Sequence, residues 1–362
     1  MKMLLWDTSC HIDESYKYIF LPICYSFTFV FSITLNSVVL YRSFSRTKHW
    51  NASLIYMVNL ATTDFMYGLS LPFLVASYVM RDNWVFGDFM CRLVRFLFYF
   101  NLYCSIFFLT CISVHRYLGI CHPMKTITLE TKRAVKGICV LVWVAVFALT
   151  CPIFRFAQTE YLVDGFQNCW DDAIDKEFQV YVPYGITLHL LGFFLPFSII
   201  AWCYSRVVMA IFRTLTLGAE GMSIILGAAS PYVNRRRKSI KTIITITLLF
   251  ALCFFPFHVT RTIFLVLKVT SRVHCHTMQM VSICYKITRP LASFNAWLNA
   301  LLYFLTKEKS GPCCHKPQPS QHGLLWPLRI LDKGGNEEDQ AEEAGNHDDK
   351  KLKEKNMFRD VP

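Results

Sequence analysis

The run LVRFLFYFNLYCSIFFLTCISVHRYL, Leu93 to Leu118, holds no Asp, Glu, Lys or Arg between Arg95 and Arg116. About 20 predominantly apolar residues suffice for a helix to cross the hydrocarbon core of a bilayer, so this run predicts a transmembrane helix. Six further stretches have the same character: Tyr18 to Tyr41, Leu54 to Tyr78, Val135 to Phe156, Val180 to Phe212, Ile240 to Val269 and Met278 to Leu305. The second, fourth, fifth and sixth of the seven spans hold Pro72, Pro152, Pro196 and Pro256, each expected to kink its helix. Kinked helices need packed neighbours in lipid, so the fold class expected is an all-α membrane protein, a seven-transmembrane helix bundle over residues 18–306.

Composition agrees with this reading. Hydrophobic residues make up 54% and charged residues 17%, above and below the globular norms respectively. The net charge of +12 would suit nucleic acid, but the cations flank apolar runs and act as topology signals. Arg42, Arg46 and Lys48 follow the first span; Lys125, Lys132, Arg133 and Lys136 lie between the third and fourth; Arg235, Arg236, Arg237, Lys238 and Lys241 precede the sixth. These loops are therefore cytoplasmic, which puts the N-terminus outside and the C-terminus inside. The longest opposite loop is acidic, with Glu160, Asp164, Asp171, Asp172, Asp175 and Glu177.

Residues 1–17 form a short extracellular segment with Asp7, Asp13 and Glu14 and no apolar run, so the first span is expected to act as its own insertion signal. Asn51-Ala52-Ser53 fits a glycosylation acceptor, yet it lies on the cytoplasmic side and is expected to stay bare. Residues 307–362 turn to Lys, Glu, Asp, Gly, Pro and Gln, the composition of a disordered cytoplasmic tail, in which Cys313 and Cys314 are either palmitoylated or plain thiols. Most of the 15 cysteines fall inside apolar runs, but Cys10, Cys91, Cys169 and Cys275 sit at or outside span ends on the oxidising side.

Polar residues within spans are costly and mark function or helix contacts. Asn36, Asp64, Ser105, Asn295 and Asn299 are of this kind, and Asp64 with Ser105 and Asn295 suits either a bound sodium ion or direct interhelical hydrogen bonds. At the extracellular ends, Arg95, Tyr99 and Tyr103 share one helix face, His258 and Arg261 are three apart, as are Lys286 and Arg289, and Ser293 lies a turn below Arg289. Such faces turned inward make an aromatic-walled pocket with convergent guanidinium groups, suited to phosphate; turned outward, they reach for lipid headgroups. There is no nucleophile beside a base, no metal-ligand spacing and no phosphate-cradling glycine loop, so an enzyme is not expected.

The ordered motifs resemble those of rhodopsin-like G-protein-coupled receptors: Leu60-Ala61-Thr62-Thr63-Asp64, Trp84-Val85-Phe86-Gly87, His115-Arg116-Tyr117, Trp143, Pro196 with Tyr204, and Phe250 to Pro256 including Phe254. That resemblance implies a plasma-membrane receptor whose agonist favours an outward swing of the sixth helix, hinged at Pro256, which opens a cleft for a heterotrimeric G protein at Arg116, Tyr204 and Tyr303. Two positions depart from the family pattern. His115 stands where an acidic residue usually pairs with the arginine, and Ala300 replaces the proline in Asn299-Ala300-Leu301-Leu302-Tyr303, which predicts a straighter helix and weaker activation.

Phe257-His258-Val259-Thr260-Arg261-Thr262, Tyr285-Lys286-Ile287-Thr288-Arg289-Pro290-Leu291-Ala292-Ser293, Val94-Arg95-Phe96-Leu97-Phe98-Tyr99 and Tyr117-Leu118-Gly119-Ile120-Cys121-His122-Pro123 are similar to the purinergic nucleotide receptors. By that resemblance Arg95, Arg261 and Arg289 clamp the phosphates of an extracellular nucleotide, with His258 and Tyr103 as hydrogen-bonding partners and Asp171 orienting an arginine or the base. It also implies disulfides Cys91 to Cys169 and Cys10 to Cys275, and coupling to phospholipase C and calcium release. The alternatives are a same-fold receptor for a dicarboxylate or lysophospholipid, or a weakly signalling decoy or partner receptor.

Overall fold

The computed structural model describes residues 15–48, 50–122, 131–161, 165, 167–170, 178–219, 240, 242–270 and 274–306, without the side chains of 211–219, 275, 305 and 306. Cys10, Asp171, Cys313, Cys314, Lys125 and the basic run Arg235 to Lys238 with Lys241 lie outside the described residues, as do residues 307–362. The chain separates into a unit Met1–Glu308, which holds the bundle, and a second unit, Lys309–Pro362.

The first three spans are single helices, α1 (Lys17–Arg46), α2 (Ala52–Val79) and α3 (Gly87–Cys121). The fourth is α4 (Lys132–Thr150), continued by one short turn, α5 (Ile153–Phe156). A hairpin of β1 (Gln158–Tyr161) and antiparallel β2 (Gln167–Trp170) follows. The fifth span runs through α6 (Phe178–His189), a π-helical turn at Leu190–Phe194 and α7 (Leu195–Ala219). The sixth, Thr242–Val269, contains a second π-helical turn at Phe250–Phe254 before α8 (Phe255–Val269). The seventh is split into α9 (Cys275–Ser293) and α10 (Asn295–Thr306).

Five of these spans, the first, third, fourth, fifth and sixth, are long and apolar enough to cross a membrane by length and composition alone. The second spends much of its length on polar residues that the bundle buries, Thr63, Asp64, Ser70 and Ser77, and the seventh is shortened by its break. The third is the central helix: 78% of its most apolar window is buried, against 28% for the first and fourth. Ile19, Ile23, Val140, Leu141, Val144 and Leu252 face outward, as a lipid-exposed surface requires.

Several helices reach beyond the limits expected from hydropathy, because their ends are set by backbone satisfaction and not by apolarity. Asn51 accepts a hydrogen bond from the Leu54 amide at 2.9 Å and so caps α2. Gly87 opens α3 at φ 79°, a region that side chains with a Cβ rarely adopt.

Pro72 lies within α2 and Pro152 stands between α4 and the short turn α5, where the fourth span is interrupted; Pro22, Pro183 and Pro290 also lie inside helices. In the fifth and sixth spans the irregularity precedes the proline. A π-helical turn widens the backbone just where Pro196 and Pro256 cannot donate to the preceding turn. The seventh breaks at Phe294, four residues after Pro290, and then continues without interruption through Ala300.

Between helices in lipid, packing and polar bonds carry the association. Trp143 donates to the Asn59 side chain at 2.8 Å, joining the second and fourth spans. Tyr184 donates to the Leu149 carbonyl at 2.8 Å across the fourth and fifth. The Thr260 and Thr288 hydroxyls meet at 2.8 Å across the sixth and seventh.

Candidate ligand site

The extracellular hairpin is fixed onto α3 before any ligand contact is considered. Cys91 and Cys169 form the disulfide expected of them, with Cα atoms 5.7 Å apart. Asp88 accepts from the Thr159 amide at 2.9 Å and from Arg92 at 2.6 Å, and Arg92 also reaches the Phe154 carbonyl. Trp84, from the Trp84-Val85-Phe86-Gly87 motif, donates its amide to Gln167 at 2.6 Å and its indole N–H to Gly87 at 2.8 Å. These bonds make a floor-mounted cover whose inner edge is the Cys169 carbonyl.

Arg95 donates to that carbonyl at 2.7 Å, so the disulfide and the first expected phosphate ligand belong to one unit. Arg289 lies over the Phe98 ring with its guanidinium carbon 5.0 Å from the centroid. Below it Ser293 pairs with Tyr67 at 2.8 Å.

Arg261 is wholly buried. Its guanidinium donates to the Tyr181 hydroxyl at 2.7 Å and stands 4.6 Å from the Tyr285 ring and 5.7 Å from Phe264. Aromatic faces are attractive surroundings for a desolvated cation, and the planar guanidinium can lie flat on them while keeping its fork of donors. Outward snorkelling is excluded for these three arginines by their burial in the bundle. Lys286, by contrast, is only half-buried.

One turn below Arg261, His258 donates through Nδ1 to the Phe254 carbonyl at 2.8 Å and stacks on Phe193 with centroids 4.1 Å apart and planes 9° from parallel. Tyr103 is fully buried, 5.8 Å from the His258 ring. It passes so close to the π-helical turn of the fifth span that a Cβ on Gly192 would lie 2.5 Å from its ring; only glycine fits there. Tyr99 is buried against Phe98. Asp171 and Cys10 fall outside the described residues, and Cys275 begins α9 without a described side chain, so the orienting acid and the second disulfide stay expectations.

Tyr67, Phe98, Tyr181, His189, Phe193 and Tyr285 contribute to this site and were not singled out as site residues from the sequence. Aromatic residues fill all the spans, and nothing in their local spacing separates those lining a pocket from those facing lipid.

Deeper in the bundle lies a second polar cluster. Asp64, fully buried, accepts from Asn101 at 2.6 Å and from Asn299 at 3.1 Å, and Asn299 also reaches Ser105 at 3.1 Å. Asn36 and Ser32 of the first span donate to the Ala296 carbonyl at 2.7 and 3.4 Å. Toward the cytoplasm Tyr204 pairs with Ser113, one turn before Arg116, at 2.6 Å, and Tyr303 packs with Val39, Met57, Ala61 and Ala300.

Residues 35–303 match the family model of the 7 transmembrane receptor (rhodopsin family). The chain is 40% identical to purinoceptor 4 of Rattus norvegicus over 304 residues, 84% of this chain and 80% of that protein. It is 42% identical to purinoceptor 2 of Homo sapiens over 300 residues, 83% of this chain and 76% of the relative. Against purinoceptor 3 of Gallus gallus the identity is 40% over 307 residues, covering 83% and 89% of the two chains. This chain therefore belongs to the rhodopsin family of seven-transmembrane receptors, among the purinoceptors, as a multi-pass protein of the plasma membrane.

Proposed function

We propose that this receptor is activated by extracellular nucleotides and signals through heterotrimeric G proteins to phospholipase C and calcium release. The observation that carries the reading is the burial of three arginines, Arg261 and Arg289 against aromatic rings and Arg95 on the carbonyl of the disulfide-bonded Cys169. Guanidinium groups held this way are preorganised for the oxygens of a polyphosphate, each through charge-assisted hydrogen bonds. His258 and Tyr103 supply hydrogen bonds to the rest of the ligand, and Asp171 orients an arginine or the base. The receptor performs no catalysis on this reading. An agonist that draws the upper ends of the third, sixth and seventh helices together biases the sixth, through its π-helical turn and Pro256, toward an opening at Arg116 on the cytoplasmic side.

The Asp64 cluster is read as a sodium site. Both side-chain polar atoms of Asn295 and the Asn299 Oδ1 are buried with no hydrogen-bond partner among the described residues, and Ser105 and Asp64 add oxygen donors of the kind such an ion takes. Bound there, sodium would supply positive charge opposite a carboxylate whose hydrogen-bond donors are neutral amides.

The test is nucleotide-evoked calcium release in cells without nucleotide receptors of their own, at matched surface density. Arg261→Ala and Arg289→Ala are expected to lose one to several decades of potency, since removing one partner of a buried charged pair costs roughly 2 to 5 kcal/mol. Wild-type potency in both variants would sink the phosphate clamp. A response to dicarboxylates or lysophospholipids without one to nucleotides would move the receptor to that ligand class.

A further inference from the structure

Beside the residues of the proposed clamp, the fifth span contributes a buried histidine that the sequence did not single out. His189 is 2% exposed and is the last residue of α6, at the start of the π-helical turn that brings Gly192 against Tyr103. Its Nδ1 lies 2.8 Å from the Thr262 hydroxyl, and that hydroxyl donates to the His258 carbonyl at 2.7 Å. A threonine hydroxyl has one proton. With that proton given to the carbonyl, the oxygen can only accept, so His189 carries its proton on Nδ1 and presents Nε2 as a lone pair.

His258 is committed in the same sense. Its Nδ1 proton goes to the Phe254 carbonyl, and its Nε2 is buried with no hydrogen-bond partner among the described residues. The two imidazole rings are 5.4 Å apart, and the Tyr103 hydroxyl, likewise buried without a partner there, belongs to the ring next to His258. Buried polar atoms are nearly always satisfied in a working protein; of these two atoms, the His258 Nε2 can only accept a hydrogen bond, while the Tyr103 hydroxyl can accept or donate one.

We infer that His189, held in one tautomer by Thr262, is a ligand-contacting residue, and that together with His258 it selects nucleotides whose base carries an N–H donor. The inference rests on the nucleotide reading of the site and adds the base chemistry to it. A wall of fixed acceptors discriminates strongly, because a ligand lacking the donor leaves desolvated lone pairs unpaired. Thr262 is a positioning residue: it touches His189, not the ligand.

The experiment compares calcium release by UTP with 3-methyl-UTP, and by ATP with N6,N6-dimethyl-ATP, in receptor-null cells at matched surface density. For the more potent parent, the wild type is expected to respond to the methylated analogue at least about tenfold less sensitively. In His189→Phe and in His258→Phe, which keep a ring of similar size, that ratio should shrink toward about one to threefold, and Thr262→Val should shrink it in part. Equal potency of analogue and parent on the wild type overturns the inference, and this arm needs no variant to fold. A ratio that persists undiminished in both phenylalanine variants reports crowding by the methyl group and overturns it as well. Silence of the wild type toward all four nucleotides would instead remove the nucleotide reading, and the inference with it.

Discussion

At Arg261 and Arg289 the bundle buries cations against tyrosine and phenylalanine rings, while around Asp64, nearer its middle, it buries a carboxyl group against asparagine amides. The upper cluster draws on the hairpin and on the third, fifth, sixth and seventh spans, and its neighbours are mostly the faces of rings. The lower one is a tight net of side-chain hydrogen bonds between the second, third and seventh. Rings can exchange neighbours with little loss, but a carboxylate held by two amides at 2.6 and 3.1 Å cannot. The difference suits a part of the molecule that admits a charged ligand and a part that must transmit its presence.

The sharpest way to break the comparison is to remove the cover from the upper cluster. Cys91→Ser or Cys169→Ser is expected to abolish ligand binding or surface expression, because Arg95 is held by the carbonyl of Cys169 itself. Surface labelling with peptide mapping checks this, and free thiols at both positions in the mature protein would defeat it.

A smaller but more specific effect separates charge from shape. Arg261→Lys keeps a cation near Tyr285 while losing the fork that reaches Tyr181, so part of the nucleotide response should survive, with potency down by about tenfold. Arg261→Gln should fall further, on the order of a hundredfold. Equal losses for Lys and Gln would show that charge is not what the site uses there.

In the lower cluster the substitution that matters is Asp64→Asn. If sodium sits with Asp64, Ser105 and Asn295, agonist affinity in membranes should depend on sodium concentration in the wild type and lose that dependence in the variant. A sodium response that remains intact in Asp64→Asn would remove the ion from this site.

The smallest expected change concerns Ala300→Pro. A proline there would take one donor from the Ala296 carbonyl, the intrahelical acceptor four residues back. That carbonyl already accepts from Asn36 and Ser32 of the first span, so the backbone is provided for. Maximal signalling at equal surface density should rise modestly; unchanged or lower signalling would show that Ala300 is no handicap in this receptor.

Much of this architecture was legible in the chain. Hydropathy locates seven spans, the basic loops orient them, and the i, i+3 and i, i+4 spacings of Arg95 with Tyr99, His258 with Arg261 and Lys286 with Arg289 mark candidate ligand residues. The rules behind those readings are local: a helix must be long enough to cross, its loops must carry the right charge, and residues one turn apart share a face. Other features lay beyond local rules. The seventh helix breaks at Phe294, and the widened turns of the fifth and sixth spans lie ahead of their prolines.

By itself, then, the sequence determined how many times this chain crosses the membrane, which way it faces and which cations stand near its outer ends. Only tertiary structure decided that Tyr181 meets Arg261, that Thr262 fixes the His189 ring, and that Asn101 and Asn299 share the Asp64 carboxylate. Each of those contacts depends on how far one helix is rotated about its axis and slid along its neighbour. A helix that is apolar nearly all round carries little periodicity from which to read that rotation, so the packing of seven such helices together sets it.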